Sequence, residues 1–429
     1  TKLTAFDDNP DDNARFGQYL SASSDHLVVG SHADYINLTG DPQKSGTAYV
    51  YDLSDLSAQP TKIGPFDANT NDQFASNIAV SSSYVVIGSV MDDDDGISSG
   101  SVYVYDLSDL SSTPTKITEP NPESYAEFGN VAVLSDKLII GAGKGGGLLS
   151  GTDTGTAYVY DLNDLSVAPT QLLAGDGQSG DYFGESVSIV PSPSTTLPAF
   201  IAPQLLTTTS TRWMIVGAER DDDNGDSSGS VYVYDATDLS AQPTKLTAFD
   251  GTERDKFGNA VAATDDKIIV GAYRYGNDGN DYVGSVYVYD ANDLTAQPTK
   301  LTAFDSSASD EFGISVSATA DKIVVGAYQD DDNGNNSGSV YVYDANDLTA
   351  QPTKLTAFDG VGDDLFGNAV SVTADKIVVG ATFEGDGGWP GSGSVYVYDA
   401  NDLTAQPTKL TPFDGAGGDR FGESVFATV

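Results

Sequence analysis

Three aspartate-rich loops carry the residues best suited to chemistry. They read MDDDDG around Asp92 and Asp94, RDDDNGD around Asp221, Asp223, Asn224 and Asp226, and QDDDNGN around Asp330, Asp332 and Asn333. Calcium takes about six to eight oxygen ligands, and short carboxylate and carboxamide side chains on a loop bent by glycine supply several together. These residues are therefore the candidate metal ligands, with calcium as the expected ion. None of the loops has the EF-hand spacing with its distant glutamate. The competing reading is that the acids shape turns by accepting backbone N–H groups, as Asp250 and Asp255 before Phe257 and Asp359 and Asp364 before Phe366 would also do.

Other residue types offer less. Trp389, in the loop Gly387-Gly388-Trp389-Pro390-Gly391, has no tryptophan counterpart in the other units and is the candidate ligand contact. Histidine occurs only as His26 and His32, and His26 stands where Lys137, Lys267, Lys322 and Lys376 stand elsewhere. No Ser/His/Asp set, phosphate-binding loop or His-based metal motif can be assembled. Carboxylate pairs spaced for glycoside hydrolysis are unavoidable in so acidic a chain, and so they discriminate nothing. No catalytic or organic-cofactor residue is assigned, and the chain is expected not to be an enzyme.

Composition narrows the partners. The 429 residues include 63 acidic against 20 basic ones, a formal net charge of −43, and only nine of the acids are glutamate. Turns and oxygen-ligand loops favour the shorter acid, so the excess of aspartate points to loops. A surface this acidic repels nucleic-acid phosphates and anionic lipid heads, and neither is expected as a partner. With no cysteine there is no disulfide, thiolate nucleophile or Cys-based metal site. No apolar run approaches the roughly 18 residues of a membrane-spanning helix, so membrane insertion is not expected.

The loops sit in a repeat. Phe-Gly pairs recur at Phe16, Phe128, Phe183, Phe257, Phe312, Phe366 and Phe421, with Phe74-Ala75 as a variant, at spacings of 58, 54, 55, 74, 55, 54 and 55 residues. The repeat is thus about 55 residues long, with one insertion at about 191–211 that is rich in Pro, Ser and Thr but carries Leu197, Phe200 and Ile201. Each unit holds four strand-like segments, in the sixth Phe312 to Ser317, Lys322 to Ala327, Ser339 to Tyr343 and Thr353 to Phe358. The second is apolar on both faces, as for a strand buried within an assembly, and the third alternates Val with Tyr at period two. The fold class expected is all-β, a seven-bladed β-propeller of four-stranded blades, in which radial repetition leaves only short sheet edges. A β-solenoid is the alternative, but its repeats are usually shorter and need end caps. Eight copies of the first and fourth segments against seven of the others leave a terminal pair to cover an edge or to join molecules.

The recurring FGxxVxxxxDKIVVGA and GSVYVYD closely resemble the FG-GAP repeats of integrin α-subunit propellers and of many secreted bacterial proteins. The resemblance covers nearly the whole chain and implies a seven-bladed propeller, while leaving the ligand unnamed. Integrin-type calcium loops lie between the first and second strands. Here that connection is short, as in Ser317 to Val325, with Asp321 its only acid, so those ligands do not carry over.

The expected function is an extracellular, non-catalytic adhesion or structural-assembly module, calcium-stabilised if the acidic loops bind metal. It would form a single domain over 1–429, as part of a larger or polymeric assembly. Its partners would be protein or glycan surfaces, with self-association through the terminal partial repeats. A lectin-like glycan binder using Trp389 and a secreted hydrolase using propeller carboxylates are the alternatives. The chain opens at Thr1 without a signal peptide, which fits processing on secretion or a fragment of a longer protein.

Overall fold

Alternation of valine and tyrosine decides how the sheets stack. In the third strand of the sixth unit, Ser339–Asp344, Val340 and Val342 join one buried cluster with Phe366, Tyr396 and Tyr398 of the seventh unit. Tyr341 and Tyr343 point the other way, into a cluster with Phe312 and with Val286 and Val288 of the fifth unit. One strand therefore feeds two cores, one on each side, and the sheets must stand face to face. The computed structural model describes residues 16–32, 34, 36, 37, 42, 43, 45–144, 154–191, 211–276, 282–385, 391–411 and 420–427. Over these residues the chain forms seven four-stranded antiparallel sheets in a ring, a seven-bladed β-propeller. No helix of the described residues is long and apolar enough to cross a membrane.

The sixth blade shows the plan. Strands Ser315–Ala318, Lys322–Ala327, Ser339–Asp344 and Thr353–Leu355 lie side by side in chain order. Register pairs Ile323 with Tyr343, Val325 with Tyr341, and Tyr341 in turn with Lys354. First strands of neighbouring blades touch one another, which places them innermost, around the axis. The fourth strand is shorter than its sequence pattern: it stops at Leu355, and Phe358 is half-exposed in the turn to the next blade. In the fourth blade, Ser186–Pro191 and Thr211–Ala218 pair as first and second strands, so the insertion connects them; residues 192–210 lie outside the described residues.

The Phe-Gly pair belongs to two blades at once. Phe312 is fully buried, and its ring meets Tyr341 and Tyr343 of its own blade edge-on at 5.3 and 6.3 Å. Its backbone, however, forms a parallel bridge to Gly284 of the preceding blade, and its N–H donates to Val283 O at 3.1 Å. Gly284 has φ +85°, and a Cβ there would lie 2.0 Å from Phe312 O, so glycine is required. In the sixth blade the first strand begins at Ser315, whereas in blades two, five and seven it begins at Phe74, Phe257 and Phe366, which pair with their own second strands.

The surplus first segment is found at the seam. Blade one has its own first strand, Leu20–Ala22, with Phe16 against Tyr49 at 5.3 Å. Phe421 nevertheless makes the same bridge to Gly393 of blade seven, donates its N–H to Ser392 O at 2.8 Å, and remains 38 % exposed. Gln18 Nε2 donates to Glu423 Oε1 at 3.1 Å across the two segments.

Candidate functional site

The acidic loops lie between second and third strands, and in each of the three the acids converge on a lysine. In blade six, Asp330 is 3 % exposed. Its Oδ1 accepts the Ser339 hydroxyl at 2.9 Å and the Asp332 N–H at 3.2 Å. Its Oδ2 lies 3.0 Å from the Tyr341 hydroxyl and 2.9 Å from Lys354 Nζ. Lys354 also reaches Asp305 at 2.9 Å and Asp332 at 2.6 Å. Asp305 comes from the connection between blades five and six, so the cluster joins two repeats. Blade two repeats it with Lys116 on Asp67, Asp92 and Asp94, and blade four with Lys245 on Asp176, Asp221 and Asp223.

Electrostatics follow from this crowding. Burial alone would lower the Lys354 ammonium, but bonds to Asp332, Asp305 and Asp330 outweigh it and hold it above the ordinary lysine range. Burial would likewise raise Asp305, yet Lys354 and Tyr341 keep its carboxyl below the usual range. The Tyr341 phenol is pushed up by burial and by the two acids beside it, so it remains a neutral donor.

The other blades vary this theme. Blade one has Asp34 with Thr47, Tyr49 and Lys62. Blade seven uses Glu384 and Asp359 with Lys409. In blade five Tyr275 stands where the loop acid would be, its ring centroid 3.3 Å from Lys300 Nζ, while Asp250 holds the lysine at 2.7 Å. Blade three has Gln171 in place of the lysine, and Glu119 reaches in to accept Thr156 and Tyr158. Burial pushes Glu119 up from the ordinary glutamate range.

A second acid recurs two residues before the Phe of Phe-Gly, at Asp72, Asp181, Asp255, Asp310 and Asp364, each 0–3 % exposed. Each accepts the backbone N–H three residues earlier, at 2.6, 2.5, 2.6, 2.6 and 2.7 Å respectively, closing the turn that leads into the bridge. Burial, with the neighbouring loop acids Asp92 and Asp93, pushes Asp72 up to about 7. Burial raises the other four to about 6.

The expected metal ligands are thus placed, but not around a shared opening. Asp92, Asp94, Asp221, Asp223, Asp330 and Asp332 are lysine partners. Asn224 and Asn333 bond within their loops and to Ala248 O and Ala357 O, and Asp226 accepts the Ser227 hydroxyl at 3.2 Å. Among the described residues no three acidic or histidine side chains are disposed to hold a metal ion. The donor sets do not fit calcium as they stand, because a lysine ammonium sits where the carboxylates converge. Neither EDTA nor millimolar calcium is expected to move the Tm by more than about 1 °C. A fall on chelation that calcium restores would show that metal shares these loops. Trp389 lies outside the described residues.

What sequence reasoning missed is the lysine. Its signal is the repeated Thr-Lys-Leu or Thr-Lys-Ile at Lys62, Lys116, Lys245, Lys300, Lys354 and Lys409, broken at Gln171 in the one unit whose second strand runs into GAGKGGG.

No curated protein matches the chain. The FG-GAP repeat family profile matches residues 1–51, 58–105, 208–234, 241–289, 295–343 and 349–398. The unmatched stretch between 105 and 208 contains all four strands of the third blade, whose fourth strand has Gln171 in place of the cluster lysine. With matches over more than half its length and the Phe-Gly bridge between its blades, the chain belongs to the FG-GAP repeat family.

Proposed function

We propose that this propeller is an extracellular, non-catalytic adhesion or structural-assembly module. An FG-GAP propeller suggests an interaction or adhesion-type module. The observation that carries the proposal is the recurrence of the lysine–carboxylate cluster in several blades. Among the described residues, the buried loop acids of blades two, four and six are held by lysines, and these lysines and those of blades five and seven also pair with an acid on the connection from the preceding blade. Self-association is the assembly mode favoured by the seam. Phe421 carries the backbone half of an interblade seat while Phe16 holds the ring partner Tyr49. A second copy offers the missing partner.

Beads coated with the chain, passed over a surface coated with the same chain and over immobilised protein and glycan panels, test this directly. Retention under flow, reduced on the self-coated surface by Phe421→Ala, is the expected result. Turnover of a peptide, glycan or ester substrate that survives purification and vanishes with one Asp substitution would overturn the non-catalytic reading.

A further inference from the structure

In every blade one tyrosine of the third strand is paired in register with the middle of the fourth. Six blades place a lysine there: Tyr49 faces Lys62, Tyr103 Lys116, Tyr232 Lys245, Tyr287 Lys300, Tyr341 Lys354 and Tyr396 Lys409. Each Nζ lies 5.2–5.4 Å from the centre of its tyrosine ring, and each is held by at least one carboxylate. In the third blade the same register pairs Tyr158 with Gln171. This side chain is shorter than lysine, and its Nε2 stops 3.4 Å from the Tyr158 hydroxyl. Gln171 is exposed, whereas the six lysines are half-buried.

The rest of the cluster is kept. Glu119, 4 % exposed, takes the part that Asp330 plays in blade six. Its Oε1 accepts the Thr156 and Tyr158 hydroxyls, both at 3.1 Å, as Asp330 accepts those of Ser339 and Tyr341. Its Oε2 is screened from solvent and has no hydrogen-bond partner. Buried carboxyl oxygens ordinarily find one. Burial pushes the Glu119 carboxyl up against the pull of the two hydroxyls; the Glu123 charge adds to the rise, while the Glu123 N–H opposes it without bonding.

The chain's own cations nearby are engaged elsewhere. Lys116 is held by Asp67, Asp92 and Asp94, Lys137 by Asp161, and Lys144 by Glu127. No lysine or arginine occurs between Lys144 and Arg212. Gln171, Asn121 and Glu123 are all exposed, so the cluster is approached from the outer edge of the blade.

We propose that the outer edge of blade three carries a binding site for a primary ammonium group, received by Glu119 and Glu123 beside the Tyr158 ring. The molecule itself selects this chemistry, because six times the same pairing of tyrosine and carboxylate holds an ammonium. Its three N–H donors suit oxygens converging from several directions, and the ring adds attraction for the charge. The group is supplied by a lysine of another protein or by a free amine. The site does not depend on the adhesive reading.

The test is saturation-transfer NMR at pH 7 and physiological salt, with n-butylamine as the probe. Tetramethylammonium, which has the charge without an N–H, and n-butanol, which has the chain without the charge, are the comparisons. n-Butylamine should bind about tenfold or more tightly than either. Gln171→Lys, which supplies the ammonium from within, should weaken that binding about tenfold and raise the Tm by about 1 °C or more. Gln171→Ala should keep the binding, and Glu119→Gln should lose it with the fold retained. Equal binding of tetramethylammonium, no binding of n-butylamine, or unchanged binding in Gln171→Lys would overturn the proposal. A lysine-containing tripeptide with blocked ends identifies the source. Tighter binding than n-butylamine upholds the site with a polypeptide as supplier, and weaker binding upholds it with a free amine. Bead retention is read separately, so the adhesive reading stands or falls apart from this result.

Discussion

Replacing Lys354 with methionine is expected to destabilise the propeller at pH 7 by about 3–5 kcal/mol, the usual cost of removing one partner from a buried ion pair. Lys354 is 12 % exposed and Asp330 4 % at the side chain, so water cannot readily replace the ammonium. Asp330 would face Asp305 and Asp332 with the Ser339 and Tyr341 hydroxyls and the Asp332 N–H to offset its charge. Urea denaturation measures the loss, and Lys376→Met, at an exposed strand end, is the control, expected to change stability by about 0.5 kcal/mol or less. Adding Asp330→Asn should recover part of the loss, because the uncompensated charge goes with it. If Lys354→Met unfolds at the same urea concentration as Lys376→Met, the cluster is not what ties the blades together.

Stability is expected to rise as pH falls from 8 to 5. Asp72, raised to about 7, and Asp181, Asp255, Asp310 and Asp364, raised to about 6, bind protons more readily folded than unfolded. Their favourable contribution is fully present below the unfolded value near 3.8 and is lost as pH rises through about 6 to 7. A carboxyl raised by one pH unit contributes about 1.4 kcal/mol, so five such groups together amount to several kcal/mol. By the usual entropy per residue that corresponds to a Tm higher at pH 5 than at pH 8 by roughly 5 °C or more. The lysine-paired acids work in the opposite sense. Asp67, Asp176, Asp250, Asp305 and Asp359 are held below the ordinary range, so their contribution disappears as pH falls below about 4. Thermal melts across this range should show a maximum between about pH 4 and 6. A Tm that climbs steadily to pH 8 would contradict the assignment. The Asp255→Asn variant, which cannot ionise, should lose part of the alkaline decline.

The blades were legible because their code is local. Val340 to Tyr343 alternates within one strand, and the Phe-Gly spacing sets the repeat. The lysine cluster was not, because Lys354 meets Asp330 from 24 residues away and Asp305 from 49, across two turns and a blade boundary. Closely spaced aspartates read the same whether their oxygens face calcium or an ammonium. The first strand begins at the phenylalanine in blades two, five and seven but only at Ser315 in blade six, and the bond of the Phe to the preceding blade was hidden because it crosses a repeat boundary.

The Phe-Gly bridge also decides how the molecule would bear a pull. Phe312 N–H to Val283 O and Tyr343 hydroxyl to Thr302 O both cross from one blade to the blade before it. Traction along the chain would load these cross-links together with the lysine pair between Lys354 and Asp305. Extension would proceed in steps, one sheet peeling at a time, each releasing about 55 residues of slack. In the adhesive role proposed above, the molecule would thereby yield gradually under strain.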